Sequence, residues 1–143
     1  NMKLEKYHGA CYCENISYSF YTSLLENNWR VRKCGCSFCT QYKKHVYCSD
    51  PSGYVNFYVK NIKLLNIHNH GTNTADFLVC NCGSYMGAVM KTERGIYSVI
   101  NLEYMKENIN ISDPYNLKWQ NELSEGRIDR RYKTWTPVKD YFI

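Results

Sequence analysis

The alternation of apolar and polar residues predicts that the chain is mainly β. Segment 15–22 places Ile16, Tyr18 and Phe20 on one side and small polar residues on the other, which is the period-two pattern of a half-buried strand. Further segments are rich in β-branched and aromatic residues and are separated by turn-forming sequences. These additional predicted strands are 53–61, 62–69, 75–80, 85–91 and 95–102.

The pattern changes at Pro114. Residues 121–134 are rich in helix formers and in charged residues, which predicts a short C-terminal helix. We expect a β domain over 2–111 and a C-terminal extension over 112–143. The helix of the extension should dock on the β domain, because this polar segment carries large apolar side chains such as Trp135 that need to be buried.

Composition narrows the class of protein. The chain has 143 residues, of which 44% are hydrophobic and 22% charged, which is typical of one globular domain. It has no apolar run near the roughly 20 residues of a membrane span and no apolar block near its start, so we expect no membrane partner and a cytoplasmic location. The net charge of +5 suits an anionic partner. This charge is too small to demand nucleic acid. The absence of a long basic stripe interleaved with aromatics along the sequence argues against a nucleic-acid partner.

Seven of the eight cysteines lie in three short clusters. In a reducing compartment, clustered cysteines are more often metal ligands than disulfides. A C-x-C pair in an extended or turning backbone points both thiolates the same way, and a disulfide within it would close a strained ring. The clusters are Cys11 and Cys13, then Cys34, Cys36 and Cys39, and finally Cys80 and Cys82.

The two C-x-C pairs together supply four thiolates, the ligand set that a closed structural zinc prefers. We therefore expect Cys11, Cys13, Cys80 and Cys82 to hold one zinc ion. Such a site would tie the beginning of the chain to its middle.

The C-x-C-x-x-C group is different, because Cys34, Cys36 and Cys39 are left without a second pair. A zinc ion with three protein ligands keeps one position for water or substrate, which is what a catalytic site needs. The alternatives are a second structural zinc closed by Cys48 or His45, or an iron–sulfur cluster. If Cys48 is not a ligand, we expect it to be a small buried residue.

The cysteine motifs and the segments around them resemble the glutathione-dependent formaldehyde-activating enzyme family, which also includes centromere protein V. The resemblance covers roughly residues 7–105, and segment 125–137 resembles a C-terminal signature of one bacterial branch. Cys80-Asn81-Cys82-Gly83 is one residue shorter than the usual C-x-x-C-G of the family. The motifs that carry the resemblance are HGACYCENISYSF, CGCSFC, SDPSG, TADFLVCNCGSYMGAV and YSVINLEYM.

This resemblance implies a zinc-bound β-tent, in which complex antiparallel sheets pack in a sandwich-like way, with two zinc ions per chain. It also implies a carbon–sulfur lyase or synthase that adds the thiol of glutathione to formaldehyde and gives S-hydroxymethylglutathione. The family's closed zinc uses the first and third cysteine pairs, and its reactive site uses the group that corresponds to Cys34, Cys36 and Cys39.

Cations next to the reactive group suggest where an anionic thiol would bind. Glutathione is negatively charged, so we expect Arg30, Arg32 and Lys33 to meet its carboxylates. The expected partners are thus a small-molecule thiol and a small aldehyde, for a monomer or homodimer. The alternative is a non-catalytic zinc scaffold, or an interaction or nucleic-acid-binding module, because a fold does not fix a function.

Overall fold

Strands dominate the computed structural model, which describes residues 3–34, 46–69, 75–109, 115–117 and 124–143. The strands are β1 (Glu5–Ala10), β2 (Ile16–Thr22), β3 (Arg32–Cys34), β4 (Tyr47–Cys48), β5 (Tyr54–Val59), β6 (Leu65–Asn69), β7 (Asp76–Cys80), β8 (Tyr85–Thr92), β9 (Gly95–Asn101), β10 (Tyr115–Leu117) and β11 (Thr136–Phe142). Helix α1 (Ser124–Thr134) lies near the C-terminal end. The prediction of a mainly β protein with a short C-terminal helix is confirmed.

The described strands form one sheet. Its main order is β1-β2-β5-β11-β9-β4-β3-β10, and β8 leaves this path at β9 and continues through β7 to β6. Neighbouring strands are antiparallel except for β11 beside β5 and β10 beside β3. In β2 the alternation predicted from the sequence is realised, because Ile16, Tyr18 and Phe20 are all buried.

Apolar side chains are buried in two clusters. The larger one receives the inward residues of β2 and β5, among them Phe20 and Phe57. The smaller one lies under helix α1, where Trp135 is buried and Tyr132 packs edge-on against Tyr97 of β9 with ring centroids 5.1 Å apart. The helix therefore covers the outer side of β9, of its neighbour β8 and of β7, which follows β8 in the sheet.

The sequence pattern predicts neither β1 nor β11 among the longer strands, and the position of β11 in the sheet is the less expected of the two. Strand β11 lies between β5 and β9, parallel to the first and antiparallel to the second. Pro137 near its start argues against an internal strand, because proline has no N–H for the ladder. The side chain of Thr136 accepts a 2.8 Å hydrogen bond from the N–H of Asp50, which connects the start of β11 to the segment before β5. Residues from the C-terminal extension thus complete the sheet.

Candidate metal centre

Two hairpin turns bring four cysteines together. The first turn connects β1 to β2, and the second connects β7 to β8. In each turn the N–H of the first cysteine donates back across the hairpin: Cys11 to the carbonyl of Ile16 at 3.0 Å, and Cys80 to the carbonyl of Ser84 at 2.9 Å. Each C-x-C pair therefore begins where a ladder of the sheet ends, and the sheet sets the position of both pairs.

The two turns are closed in the same way three residues later. The N–H of Glu14 donates to the carbonyl of Cys11 at 2.9 Å, and the N–H of Gly83 donates to the carbonyl of Cys80 at 2.8 Å. Both closing residues have a left-handed backbone, with φ of 62° and 92°. Glycine adopts this conformation without cost, whereas glutamate does so at some cost in backbone energy.

The four sulfur atoms form a compact group, which we call the four-cysteine centre (Cys11, Cys13, Cys80 and Cys82). The Sγ of Cys13 lies 3.6 Å from that of Cys11 and 3.5 Å from that of Cys80, and all four lie within 4.8 Å of one another. A tetrahedral zinc with bonds near 2.3 Å separates its sulfur ligands by about 3.8 Å. The donor set and its spacing therefore fit a metal ion such as zinc.

Hydrogen-bond donors point at these sulfurs and would stabilise their negative charge. The N–H of Ile16 donates to the Sγ of Cys11 at 3.3 Å. The hydroxyl of Ser84 lies 3.2 Å from the Sγ of Cys82 and accepts from the N–H of Tyr12 at 3.2 Å. Ser84 thus connects the two turns and supports a ligand, which is the role of groups that orient metal ligands.

The thiols of the second turn differ in acidity. Burial raises the pKa of Cys80 to about 12. Burial also acts to raise the pKa of Cys82, but the Ser84 hydroxyl and the N–H groups of Cys13 and Ser84 outweigh it and lower that pKa to about 6. Burial likewise raises the pKa of Cys11. In each pair the first thiol is buried and the second is exposed, because Cys13 and Cys82 face solvent.

The predicted reactive group cannot be located in the same detail. Cys36 and Cys39 lie outside the described residues, and Cys34 is described only as the last backbone position of β3. His45, one of the alternative ligands, also lies outside. The assembly of Cys34, Cys36 and Cys39 into a second metal site stays a prediction.

The three cations near this group differ in exposure. Arg30 and Lys33 are exposed. Arg32 is buried with 4% exposure, and it donates to the carbonyl of Arg30 at 2.9 Å and to the hydroxyl of Ser49 at 2.7 Å. This internal role of Arg32 is not apparent in the sequence, where it is one of several neighbouring cations. The expected contact of the three cations with glutathione stays a prediction.

Cys48 lies on β4 inside the larger hydrophobic cluster and is 1% exposed. Burial raises its pKa to about 12. It therefore has the environment of the small buried residue that the sequence predicts in the absence of a ligand role.

The fold and the site define a mainly β protein with a four-cysteine centre that could hold a metal ion. The fold is similar to that of a Rhodobacter sphaeroides protein whose crystal structure comes from a structural genomics effort, with a TM-score of 0.55 and 19% sequence identity over 77% of this chain and 99% of that chain. This similarity shows the fold alone.

No protein-family profile and no curated protein matches the chain. Among the described residues, no helix has the length and apolar character needed to cross a membrane.

Proposed function

We propose that this protein is a zinc-dependent carbon–sulfur lyase or synthase of the glutathione-dependent formaldehyde-activating type. The observation that supports this most directly is that the four-cysteine centre is complete in itself. It needs no thiolate from the C-x-C-x-x-C group, so Cys34, Cys36 and Cys39 are available for a second zinc with an open position.

The environment of Cys48 supports an open position at that second zinc. It is the eighth cysteine of the chain, and it is buried in the larger hydrophobic cluster with a pKa raised to about 12 by burial. Packing accounts for this cysteine without a metal, because a free cysteine behaves as a small hydrophobic residue. This favours three cysteine ligands over four at the second site.

A zinc ion with an open coordination position would lower the pKa of a bound thiol. The chain itself would contribute three thiolates at Cys34, Cys36 and Cys39, and the exposed cations Arg30 and Lys33 beside β3 would attract the carboxylates of glutathione. In the proposed reaction the thiol sulfur attacks the aldehyde carbon. The C–S bond forms as the carbonyl π bond breaks, and the thiol proton ends on the former carbonyl oxygen.

A non-catalytic zinc scaffold is the second candidate. The closed four-thiolate composition of the four-cysteine centre favours it, because such sites are typically structural. The two candidates differ in the second metal: an enzyme needs an open position there, whereas a scaffold has a closed site or none.

Cobalt substitution separates the two candidates. Cobalt-loaded protein is titrated with glutathione and, as a control without a free thiol, with S-methylglutathione. We expect glutathione alone to change the thiolate-to-metal charge-transfer bands, because a new sulfur joins the second metal. Native mass spectrometry should count two zinc ions per chain in the wild type and one in Cys36→Ser, while Cys48→Ala keeps both.

The spectral response should disappear in Cys36→Ser and persist in Cys48→Ala. If the charge-transfer bands of the wild type do not change with any thiol, the enzyme proposal is wrong and the scaffold remains. The named reaction is then tested by mixing the protein with formaldehyde and glutathione. Carbon-13 NMR exchange spectroscopy monitors the formation of S-hydroxymethylglutathione. Absence of accelerated exchange in a protein that responds to thiols would exclude formaldehyde as the substrate.

A further inference from the structure

One side of β1, β2, β5 and β11 carries aromatic and cationic side chains that belong to neither hydrophobic cluster. The strand register places these side chains together, because Lys6 pairs with Tyr21, Tyr21 with Tyr54, and Tyr58 with Phe142. The opposite side of the same strands faces the larger cluster. We call this surface the aromatic face and define it by Lys6, Tyr21, Tyr54, Tyr58, Lys139 and Phe142.

The rings of the aromatic face form two stacks. Tyr21 and Tyr54 lie with ring centroids 4.3 Å apart and planes 18° from parallel. Tyr58 and Phe142 lie 5.4 Å apart with planes 23° from parallel. Tyr54 and Tyr58 are four positions apart on β5, which is about 13 Å at the rise of a β-strand.

Two lysines lie over the rings of the first stack, and the second stack includes the exposed ring of Phe142. The Nζ of Lys6 lies 5.7 Å from the ring centre of Tyr21, and the Nζ of Lys139 lies 4.4 Å from that of Tyr54. Phe142 is 58% exposed, so its ring is available to a partner. Between the stacks lie the polar side chains of Ser19 and Asn56, which are paired across β2 and β5.

We propose that the aromatic face binds single-stranded nucleic acid. Unpaired bases stack on aromatic rings such as that of Phe142, and such stacking tolerates any sequence, because every base has a π-face. Lys6 and Lys139 are exposed and can meet the phosphates that follow the stacked bases. Asp140 is an exposed acid on β11 and would repel phosphates. The attraction of the face for a nucleic acid therefore depends on the two lysines and on the net charge of +5.

Two other occupants fit the surface less well. A second copy of the chain would bring the lysines of both copies together, and like charges in close contact oppose association. A membrane would need protruding apolar anchors, whereas Tyr21, Tyr54 and Tyr58 are only partly exposed and Phe142 alone stands out.

The sequence alone predicts no nucleic-acid partner. The residues of the aromatic face come from four strands and are spread from position 6 to position 142, so no basic aromatic stripe is visible along the chain. The sheet brings them together. The binding function is independent of the proposed enzyme, because none of its residues belongs to the four-cysteine centre or to the C-x-C-x-x-C group.

Fluorescence anisotropy with labelled oligothymidylate and oligouridylate tests the proposal on the zinc-loaded chain. We expect both single strands to bind more tightly than a duplex of equal length, because paired bases cannot stack on the rings. Phe142→Leu should weaken binding about tenfold, which corresponds to loss of one stacked base. Phe142→Tyr should restore wild-type affinity, because it keeps a ring at this position.

The lysines are tested through the salt dependence. Lys139→Gln should reduce the slope of log affinity against log salt by about 0.7, the contribution of one phosphate contact on a single strand. The matched variant Lys63→Gln changes an exposed lysine outside the aromatic face and should leave the slope unchanged. Equal melting temperatures of all variants exclude a general loss of folding.

Several results would overturn the proposal. These are no binding of either oligonucleotide at low salt, equal affinity for single strand and duplex, equal losses in Lys139→Gln and Lys63→Gln, or an unchanged affinity in Phe142→Leu. Binding to vesicles containing anionic lipid without binding to oligonucleotides would assign the face to a membrane instead. The response of the metal to glutathione is measured separately. A protein that binds no oligonucleotide would therefore leave the proposed enzyme function unaffected.

Discussion

The two metal-site turns are closed by the same hydrogen bond but have different closing residues. Both begin with a buried cysteine, continue to an exposed cysteine two positions later, and close with a left-handed residue that donates to the first carbonyl. Glu14 closes the first turn and Gly83 the second. The C-x-C spacing and the end of the strand ladder therefore determine this closing bond, and glycine makes it easier without being required.

The short second pair is accommodated in the same way as the first. The C-N-C-G sequence is one residue shorter than the C-x-x-C-G of the family that the chain resembles. It is closed by the same hydrogen bond, from its fourth residue to the carbonyl of its first, as the C-Y-C-E sequence of the first pair. Its sulfurs still lie within 4.8 Å of those of the first pair. The shortened spacing therefore leaves the four-cysteine centre able to hold a metal ion.

Removing a buried sulfur should have the largest effect on the two turns. Cys80→Ser takes one of four thiolates from the centre, and a structural zinc contributes about 10–16 kcal/mol of apparent binding energy in small zinc domains. This is comparable to the entire stability of a domain, so we expect loss of one zinc ion and of cooperative unfolding. Native mass spectrometry and thermal circular dichroism measure both.

Cys48→Ala is the matched control, because it removes a buried cysteine that lies outside the centre. It should keep its zinc content and lose only the modest stability of a small cavity. A Cys80→Ser variant with the zinc content and melting temperature of the wild type would contradict the assignment of this residue as a ligand.

A smaller effect is expected where Ser84 joins the turns. Ser84→Ala removes the hydroxyl that accepts from the N–H of Tyr12 and lies beside the Sγ of Cys82. Loss of a group that supports a metal ligand typically lowers metal affinity about 10–100-fold, so the apparent zinc affinity should fall within that range while the fold persists. Competition with a chromophoric chelator measures it. Ser17→Ala on β2 is the control, and an equal loss there would refute a specific role for Ser84.

Most strands and the four-cysteine centre could be predicted because their signals are local. Period-two alternation in 15–22 and the C-x-C spacing are each visible within a few residues. The two distant C-x-C pairs could be assigned to one site because together they supply the four thiolates of a closed zinc. By contrast, β11 is held by its neighbours, and the buried position of Arg32 depends on its partner Ser49. The aromatic face depends on register among four strands. Such features arise from tertiary contacts that a single sequence does not display.

Changing the closing residue of the second turn should have a moderate effect. Gly83→Ala forces a side chain into the left-handed region at φ 92°, and the added Cβ would have no heavy atom within 4 Å. The cost is therefore backbone strain alone, about 1–2 kcal/mol, and the melting temperature should fall by several degrees. Zinc affinity should fall with it, because the strained turn carries Cys80 and Cys82.

Gly95→Ala gives the matched comparison, since Gly95 has φ 131°, equally open space and no place in the metal turns. It should lower the melting temperature and leave the zinc affinity unchanged. If both variants changed zinc affinity equally, the turn geometry at Gly83 would have no special connection with the metal.

The smallest effect should come from relieving the first turn. Glu14→Gly removes the left-handed strain but also the exposed ion pair in which Lys106 donates to the Glu14 carboxylate at 2.7 Å. Glu14→Gln removes the same charge and keeps the strained backbone, so the difference between these variants reports the backbone alone. We expect the glycine variant to melt about 2 °C higher than the glutamine variant, with unchanged zinc stoichiometry in both. Equal melting temperatures would mean that the first turn holds Glu14 without strain.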